Sequence, residues 1–141
     1  MRPEQLIVIV SPVAFLGIWV FVVGLISVMS GWGRLAQQYR DLDHYQGKKL
    51  RGKNGRFGGT SYSRVLIFGA NMQGMYLAVN PLFSIGHPAL FIPWTDIRTE
   101  EREGVFSAFT TISFAQVPDV KLTISSKLMA QVQELKTGNL F

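Results

Sequence analysis

Few side chains in this chain have the chemistry of a catalytic residue. There are two histidines, His44 and His87, and no cysteine. A general base or a metal ligand needs a positioned partner, and neither histidine has a carboxylate or second histidine at a spacing typical of a triad or a zinc site. The lack of cysteine excludes thiol chemistry, disulfides and cysteine-ligated metals. The sequence therefore predicts no enzyme, no catalytic residue, no metal and no cofactor.

One glycine- and lysine-containing stretch partly matches a phosphate-binding loop. Gly47, Gly52 and Lys53 fit the pattern G-x-x-x-x-G-K, in which backbone N–H groups and the lysine hold phosphate. The pattern then requires Ser or Thr to bind magnesium, and Asn54 stands there. The glycines that follow would not start the helix whose N-terminus holds the phosphate. We therefore predict no nucleotide site here.

Positive charge is concentrated in one part of the chain. From Arg34 to Arg64 there are eight basic and two acidic residues, whereas the residues after Arg64 include five basic and six acidic ones. Beside an anionic membrane, each basic residue contributes about 1 kcal/mol. We expect five of them to contact anionic lipid or an acidic protein, and we call these five the basic cluster: Lys48, Lys49, Arg51, Lys53 and Arg56.

Two other interpretations of the basic cluster bear on its partner. Basic residues next to an apolar span also fix membrane topology and keep the segment soluble, and this plainer interpretation stays open. Nucleic acid is not a predicted partner, because the cluster lacks the interleaved aromatic side chains that stack on bases.

An apolar run precedes the basic cluster. Leu6 to Met29 is 24 residues long and has no charged side chain. As a helix it would reach about 36 Å, and a bilayer core is about 30 Å thick. A cleaved signal peptide is the alternative, but its apolar region is shorter, about 7 to 15 residues, and its start is positive, whereas Arg2 here is offset by Glu4. We expect residues 1–30 to be a retained transmembrane anchor.

Basic residues also predict the orientation of this anchor. Arg2 alone precedes the apolar run, and eight basic residues follow it within the next 35 positions. Because basic flanks resist translocation, we expect a single-pass protein of the cell membrane with its N-terminus outside. The remaining chain would be cytoplasmic, which fits the lack of cysteine. The lipid bilayer is thus the first predicted partner.

The segment 31–56 is predicted to connect the anchor to a folded domain. Apolar residues there recur at the spacing of a short amphipathic helix that either lies in the membrane interface or packs on the domain, namely Trp32, Leu35, Ala36 and Tyr39. We expect Trp32 and Arg34 to anchor the chain at the interface, where amphipathic rings prefer the headgroup level. Asp41 to Gly59 is polar and glycine-rich, which indicates a loop or linker.

From residue 57 on, short apolar runs alternate with turn signals. Strands are predicted at 63–68, 75–79, 89–94 with a weak continuation to 97, 106–114 and 120–125, with a charged turn at 100–104. A helix is predicted to begin at Ser125 or Ser126, to bury Leu128, Val132 and Leu135, and to end at Gly138. The predicted class is α+β: an anchor helix and, over 57–141, a bent antiparallel sheet or partly open barrel capped by a C-terminal helix.

The order of several strands followed by one C-terminal helix resembles the order of elements in pleckstrin-homology-like and GRAM-like domains. The local sequence also resembles small bacterial single-pass membrane proteins that have no established activity. The residues that carry this resemblance are Gly31-Trp32 with Leu35-Ala36 and Tyr39, Gly74 to Leu77, and His87 to Trp94 with Asp96-Ile97. It implies a pleckstrin-like fold, whose members often bind phosphoinositides through basic residues between the first two strands. The corresponding predicted loop, 69–73, has no Lys or Arg.

Two functions are compatible with these features. The first is a membrane-anchored cytoplasmic binding or scaffolding module that contacts anionic lipid or an acidic protein. The alternative is a small accessory or structural subunit of a larger membrane complex, with protein partners in the membrane. Small residues in the span, such as Gly17 and Gly24, would allow close helix approach.

Overall fold

The computed structural model describes residues 3–138, and their side chains from residue 12 on. Residues 1–2 and 139–141, which belong to the predicted anchor and domain, lie outside this part. The elements are α1 (Pro3–Ser30), α2 (Trp32–Tyr39), β1 (Lys49–Phe57), β2 (Thr60–Ala70), β3 (Gly74–Val79), β4 (Leu90–Pro93), β5 (Ile97–Glu103), β6 (Ala108–Phe114), β7 (Val117–Ser125) and α3 (Ser126–Thr137). The predicted α+β class is confirmed, with an apolar N-terminal helix, an antiparallel sheet and a C-terminal helix.

The seven strands form one antiparallel sheet in the order β4-β3-β2-β1-β7-β6-β5. The first strand pairs with the last, so the sheet curls into a half-barrel around its core. Its two edge strands, β4 and β5, are consecutive in the chain and are joined only by a single 3-10 turn, Trp94–Asp96. Helix α3 packs against β2, β3, β6 and β7.

Helix α1 has the length and composition of a membrane span. Of the described residues, Pro12–Ser30 is the stretch that passes this test, and a signal sequence has the same two properties. Most of its large apolar side chains are exposed, including Phe15, Ile18 and Phe21. One face is different near the C-terminal end, because Val23, Ser27 and Ser30 are buried against the rest of the chain. The last two turns of α1 are thus part of the folded domain.

Helix α2 packs on the sheet, which is the second of its two predicted arrangements. Its apolar stripe is buried in the core, with Trp32 and Leu35 fully inaccessible to solvent. The prediction that the Trp32 ring lies among lipid headgroups is therefore wrong in this structure. The chain can fold back so tightly because residue 31 is glycine: its φ is +83°, and a Cβ there would lie 2.6 Å from Val120 Cγ2.

The predicted loop over residues 41–59 is wrong from Lys49 onward, because Lys49–Phe57 is strand β1 at the centre of the sheet. Two register shifts interrupt its pairing with β2. One of its inward positions is a glycine, and a Cβ on Gly55 would lie 2.6 Å from Leu66 Cδ1 and 3.1 Å from Leu122 Cδ1. Because bulges break the alternation and glycine replaces an apolar side chain, the strand has no period-two pattern.

The predicted charged turn at 100–104 is also wrong, because β5 extends to Glu103. This strand is at an edge of the sheet and is exposed along most of its length, so charged side chains cost little there and prevent pairing with other chains. The turn follows at 104–107, and Phe106, the first residue of the predicted strand 106–114, is fully exposed in it.

The predictions for β6, β7 and α3 are confirmed. Thr110, Ile112 and Phe114 of β6 are buried, as are the alternate apolar residues of β7. Helix α3 begins after Ser125, whose side-chain oxygen accepts a hydrogen bond from the N–H of Leu128 at 3.1 Å. It buries the predicted stripe and ends at Gly138.

Candidate anion-binding groove

A groove opens where β1 separates from β7. The two strands pair at Arg56↔Thr123 and Phe57↔Leu122, and no earlier residue of β1 pairs with β7. Before Arg56, β1 pairs only with β2, whereas the end of β7 pairs only with β6. The space between them has a volume of about 820 Å³ and is bordered by the first turns of α3. We call it the basic groove.

A local feature of β1 and β2 keeps this groove open. Between the pairs Lys53↔Leu66 and Gly55↔Tyr62, β2 has two more residues than β1. Within this bulge Arg64 has a φ of 61°, in the left-handed region. Its backbone N–H donates to the side-chain oxygen of Asn54 at 2.6 Å. The bulge bends β1 away from β7, so the unpaired edge of β1 faces the groove.

The groove is lined by positive charge and hydrogen-bonding groups. Its cations are Lys53, Arg56 and Lys127, and no carboxylate lines it in the part of the chain that the structure describes. None of these three cations forms an ion pair with a described residue. Hydroxyl and amide groups lie between them, from Asn54, Ser61, Ser63, Thr123, Ser125 and Gln131. Unpaired cations with neighbouring donors suit an anionic ligand such as a phosphate group.

The structure divides the basic cluster. Lys53 and Arg56 lie in the groove, whereas Lys48, Lys49 and Arg51 do not line it. Lys49 is on another surface, with its Nζ 5.0 Å from the centre of the Tyr76 ring. That ring stacks on Tyr45 at a centroid distance of 4.8 Å. The five residues therefore do not form one continuous site.

Lys127 completes the groove and does not belong to the predicted basic cluster. One signal could have singled it out. Lys127 is in the first turn of α3, which has no acidic residue. A cation near a helix N-terminus is unfavourable because it faces the positive end of the helix dipole. A lysine at this position therefore indicates a function other than helix stability.

Arg34, the second predicted interface residue, is exposed and paired. Its guanidinium makes two hydrogen bonds to the carboxylate of Asp119, at 2.5 and 2.7 Å. This pairing raises the pKa of Arg34 and lowers the pKa of Asp119. The charge of Arg34 is thus matched within the chain, and the pair ties α2 to β7.

A buried polar network connects the groove to the end of α1. Tyr62 lines the groove, and its hydroxyl oxygen lies 2.8 Å from Ser30 Oγ and 2.9 Å from His87 Nε2. The other ring nitrogen of His87, Nδ1, is 2.9 Å from the carbonyl oxygen of Ile85. Because a carbonyl only accepts, Nδ1 carries a proton.

Burial keeps this network uncharged. It lowers the pKa of His87 and raises the pKa of Tyr62 to about 12. At neutral pH both side chains are therefore neutral. They are enclosed by the core and hydrogen-bonded to each other, with Trp32 packed at ring-centroid distances of 5.3 Å from His87 and 6.0 Å from Tyr62. The network holds α1 on the sheet.

Comparisons of the chain with family models, curated proteins and solved structures gave no match. Between residues 3 and 138, no three side chains of His, Cys, Asp or Glu are grouped as a metal site would require.

Proposed function

We propose that this chain is a membrane-anchored binding module whose basic groove binds the anionic headgroups of lipids. The observation that carries the proposal is the hydrogen bond between Tyr62 and Ser30. Tyr62 lines the groove, and Ser30 is the last residue of the apolar helix. The groove is therefore next to the point where a membrane-spanning α1 would leave the hydrocarbon and enter the headgroup layer.

The charge of the groove supports a lipid ligand. In the proposed topology, with the N-terminus outside, the sheet domain lies against the cytoplasmic leaflet, which carries anionic lipid. Three unpaired cations would together contribute about 3 kcal/mol, or roughly a hundredfold in affinity, at about 1 kcal/mol each. Ile124 and Leu128 supply an apolar part of the lining, which suits the boundary between the headgroup and the acyl chains of a lipid.

The order of the strands supports a pleckstrin-like domain as the module. The first strand pairs with the last, and one C-terminal helix packs on the curled sheet. The turn between β1 and β2 is Gly58-Gly59 and has no cation. We propose that the cations for the ligand come instead from the body of β1, at Lys53 and Arg56, and from α3, at Lys127.

The test compares lipid binding by two variants with the same loss of charge. The full chain in detergent is mixed with phosphatidylserine or phosphatidylcholine, and bound lipid is counted by native mass spectrometry. The groove variant is Lys53→Gln, Arg56→Gln, Lys127→Gln; the control is Lys48→Gln, Lys49→Gln, Arg51→Gln. We expect the wild type and the control to retain phosphatidylserine preferentially and the groove variant to lose that preference.

Other outcomes contradict the proposal. An equal loss in both variants would mean that net charge, and not the groove, selects the lipid. No preference for phosphatidylserine in the wild type would leave an acidic protein as the ligand. A stable complex with another membrane protein after gentle extraction, together with no lipid preference, would favour the accessory-subunit function.

A further inference from the structure

An apolar loop between β3 and β4 runs along α1. This loop, Asn80–Pro88, has nine residues and no Asp, Glu, Lys or Arg, and we call it the apolar loop. At its far end, Trp19 Nε1 donates to the carbonyl of Leu82 at 3.3 Å, and the rings of Trp19 and Phe83 are 5.1 Å apart. Nearer the sheet, the Ser27 hydroxyl donates to the carbonyl of Gly86. The loop therefore follows α1 from the level of Ser27 to the level of Trp19.

The position of Trp19 gives the depth of this contact. Trp19 is eleven residues before Ser30, or about 16 Å along the helix axis. A hydrocarbon core of about 30 Å takes about 20 residues of helix, so a core that begins at Leu6 ends near Leu25. Trp19 then lies about 9 Å inside that boundary. If α1 spans the bilayer, the loop residues beside Trp19 are at the depth of the acyl chains.

The side chains of the loop suit that depth. Leu82 is 71% exposed and Ile85 is 43% exposed, and both are in a loop whose only titratable side chain is the buried His87. Exposed apolar residues of α1, such as Val20 and Leu25, lie along the same stretch of helix. A concentration of exposed apolar groups of this kind indicates a binding surface for a membrane or a protein.

Most backbone groups of the loop are hydrogen-bonded, as a hydrocarbon environment requires. An unpaired N–H or C=O group in a bilayer core costs several kcal/mol. Pro81 and Pro88 have no N–H. The N–H groups of Leu82, Phe83, Ser84 and His87 donate within the loop, to Asn80 Oδ1 and to the carbonyls of Asn80, Pro81 and Ser84.

Most carbonyls of the loop are paired as well, four of them by side chains. Those of Leu82, Ile85, Gly86 and Pro88 accept from Trp19, His87, Ser27 and Trp32, respectively. An exposed loop in water has no need of such pairing, because water can satisfy its backbone. Here two tryptophans, a serine and a histidine take over that role.

From these observations we infer that the apolar loop inserts into the hydrocarbon edge of the bilayer beside α1. The inference rests on the proposed membrane anchoring. The bilayer is the favoured partner because the loop continues the apolar surface of α1 and because most of its backbone groups are hydrogen-bonded. A second attachment point beside the helix fixes how the domain sits on the membrane. Since His87 at the base of the loop is bonded to Tyr62, insertion would also fix the groove at the headgroup layer.

The test measures membrane depth at three positions of the full chain. The chain has no cysteine, so single cysteines can be introduced and spin-labelled without other changes. The positions are Leu82→Cys in the loop, Phe15→Cys on the exposed face of α1 and Phe106→Cys in the fully exposed turn. All three side chains are exposed, so the substitutions leave the core intact. Collisions with oxygen, which concentrates in lipid, and with a water-soluble nickel chelate are measured in phospholipid vesicles.

We expect the label at residue 82 to lose its collisions with nickel and to collide with oxygen, as the label at residue 15 does, while residue 106 shows the reverse. A label at residue 82 that behaves like residue 106, with residue 15 in lipid, would overturn the inference and leave the anchor in place. Residue 15 in water would overturn both. A label at residue 82 that is shielded from both reagents would mean contact with protein and would also overturn the inference.

Discussion

The apolar loop and the basic groove meet at Tyr62, and their chemistry is opposite. The loop has no Asp, Glu, Lys or Arg, and three of its carbonyls accept hydrogen bonds from side chains of α1 and α2. The groove has three unpaired cations and the open edge of a strand. In the proposed arrangement the two regions contact different layers of one membrane, the acyl chains and the headgroups. In that arrangement one hydrogen-bonded junction would carry both surfaces of a small domain.

The strongest way to break this junction is to remove the ring that supports both regions. Trp32 is fully buried, its Nε1 donates to Pro88 of the loop at 2.8 Å, and its ring contacts Phe57 at a centroid distance of 5.4 Å. We expect Trp32→Ala to lower the free energy of unfolding by about 3–5 kcal/mol, as large-to-small core substitutions do. Denaturant titration of the full chain in detergent measures this loss.

The matched control for this substitution is Phe106→Ala, which removes an aromatic ring that is fully exposed. Its effect should be within about 0.5 kcal/mol. Equal effects of the two substitutions would mean that α2 is not packed on the sheet as described.

The hydroxyl of Tyr62 tests whether the loop and the groove are coupled. Tyr62→Phe keeps the ring and removes the oxygen that lies between Ser30 and His87. We expect a loss of about 1–3 kcal/mol in the free energy of unfolding, because two buried polar groups lose a partner. Tyr45→Phe is a control, since its hydroxyl is partly exposed and bonds to backbone outside this junction. A smaller effect at Tyr62 than at Tyr45 would contradict the coupling.

Acid should weaken the junction through His87. Burial lowers the pKa of His87, so the unfolded chain binds a proton more readily than the folded chain. The stability contributed by neutral His87 is complete above the usual histidine pKa of about 6.5 and is lost as pH falls through the lower folded value. We expect His87→Gln to reduce the pH dependence of unfolding below pH of about 6.5. Unfolding midpoints of the wild type and the variant across this pH range measure the difference.

The smallest effect should come from the surface pair that borders neither region. Arg34 and Asp119 are both exposed, and solvent screens their attraction. We expect Arg34→Gln to leave the unfolding midpoint and the preference for phosphatidylserine unchanged, as measured in the two assays above. A loss of lipid preference in this variant would extend the lipid site beyond the groove and along α2.

The sequence predicted the elements whose hydrophobic pattern is regular. Strands β6 and β7 alternate with period two, and α3 has a capping serine, an apolar stripe and a terminal glycine. The structure contains all three, although β6 begins at Ala108 and β7 begins at Val117. Strand β1 was missed because bulges and Gly55 remove its pattern, and the end of β5 was missed because an exposed edge strand tolerates charge. Of the groove, Lys53 and Arg56 belonged to the predicted basic cluster, whereas Lys127 is 71 residues beyond Arg56 in the chain and only the fold brings it there.

By itself, the sequence determined the apolar length of α1, the excess of positive charge after it and the order of helix, strands and helix, because these depend on composition and on local periodicity. The tertiary structure decided which surfaces result. Trp32 became part of the core, and not an interface residue, because Gly31 turns α2 onto the sheet. The register of the strands divided the cations between two surfaces. Long-range hydrogen bonds placed the apolar loop on α1. Neither the register nor these hydrogen bonds have a signal in the local sequence.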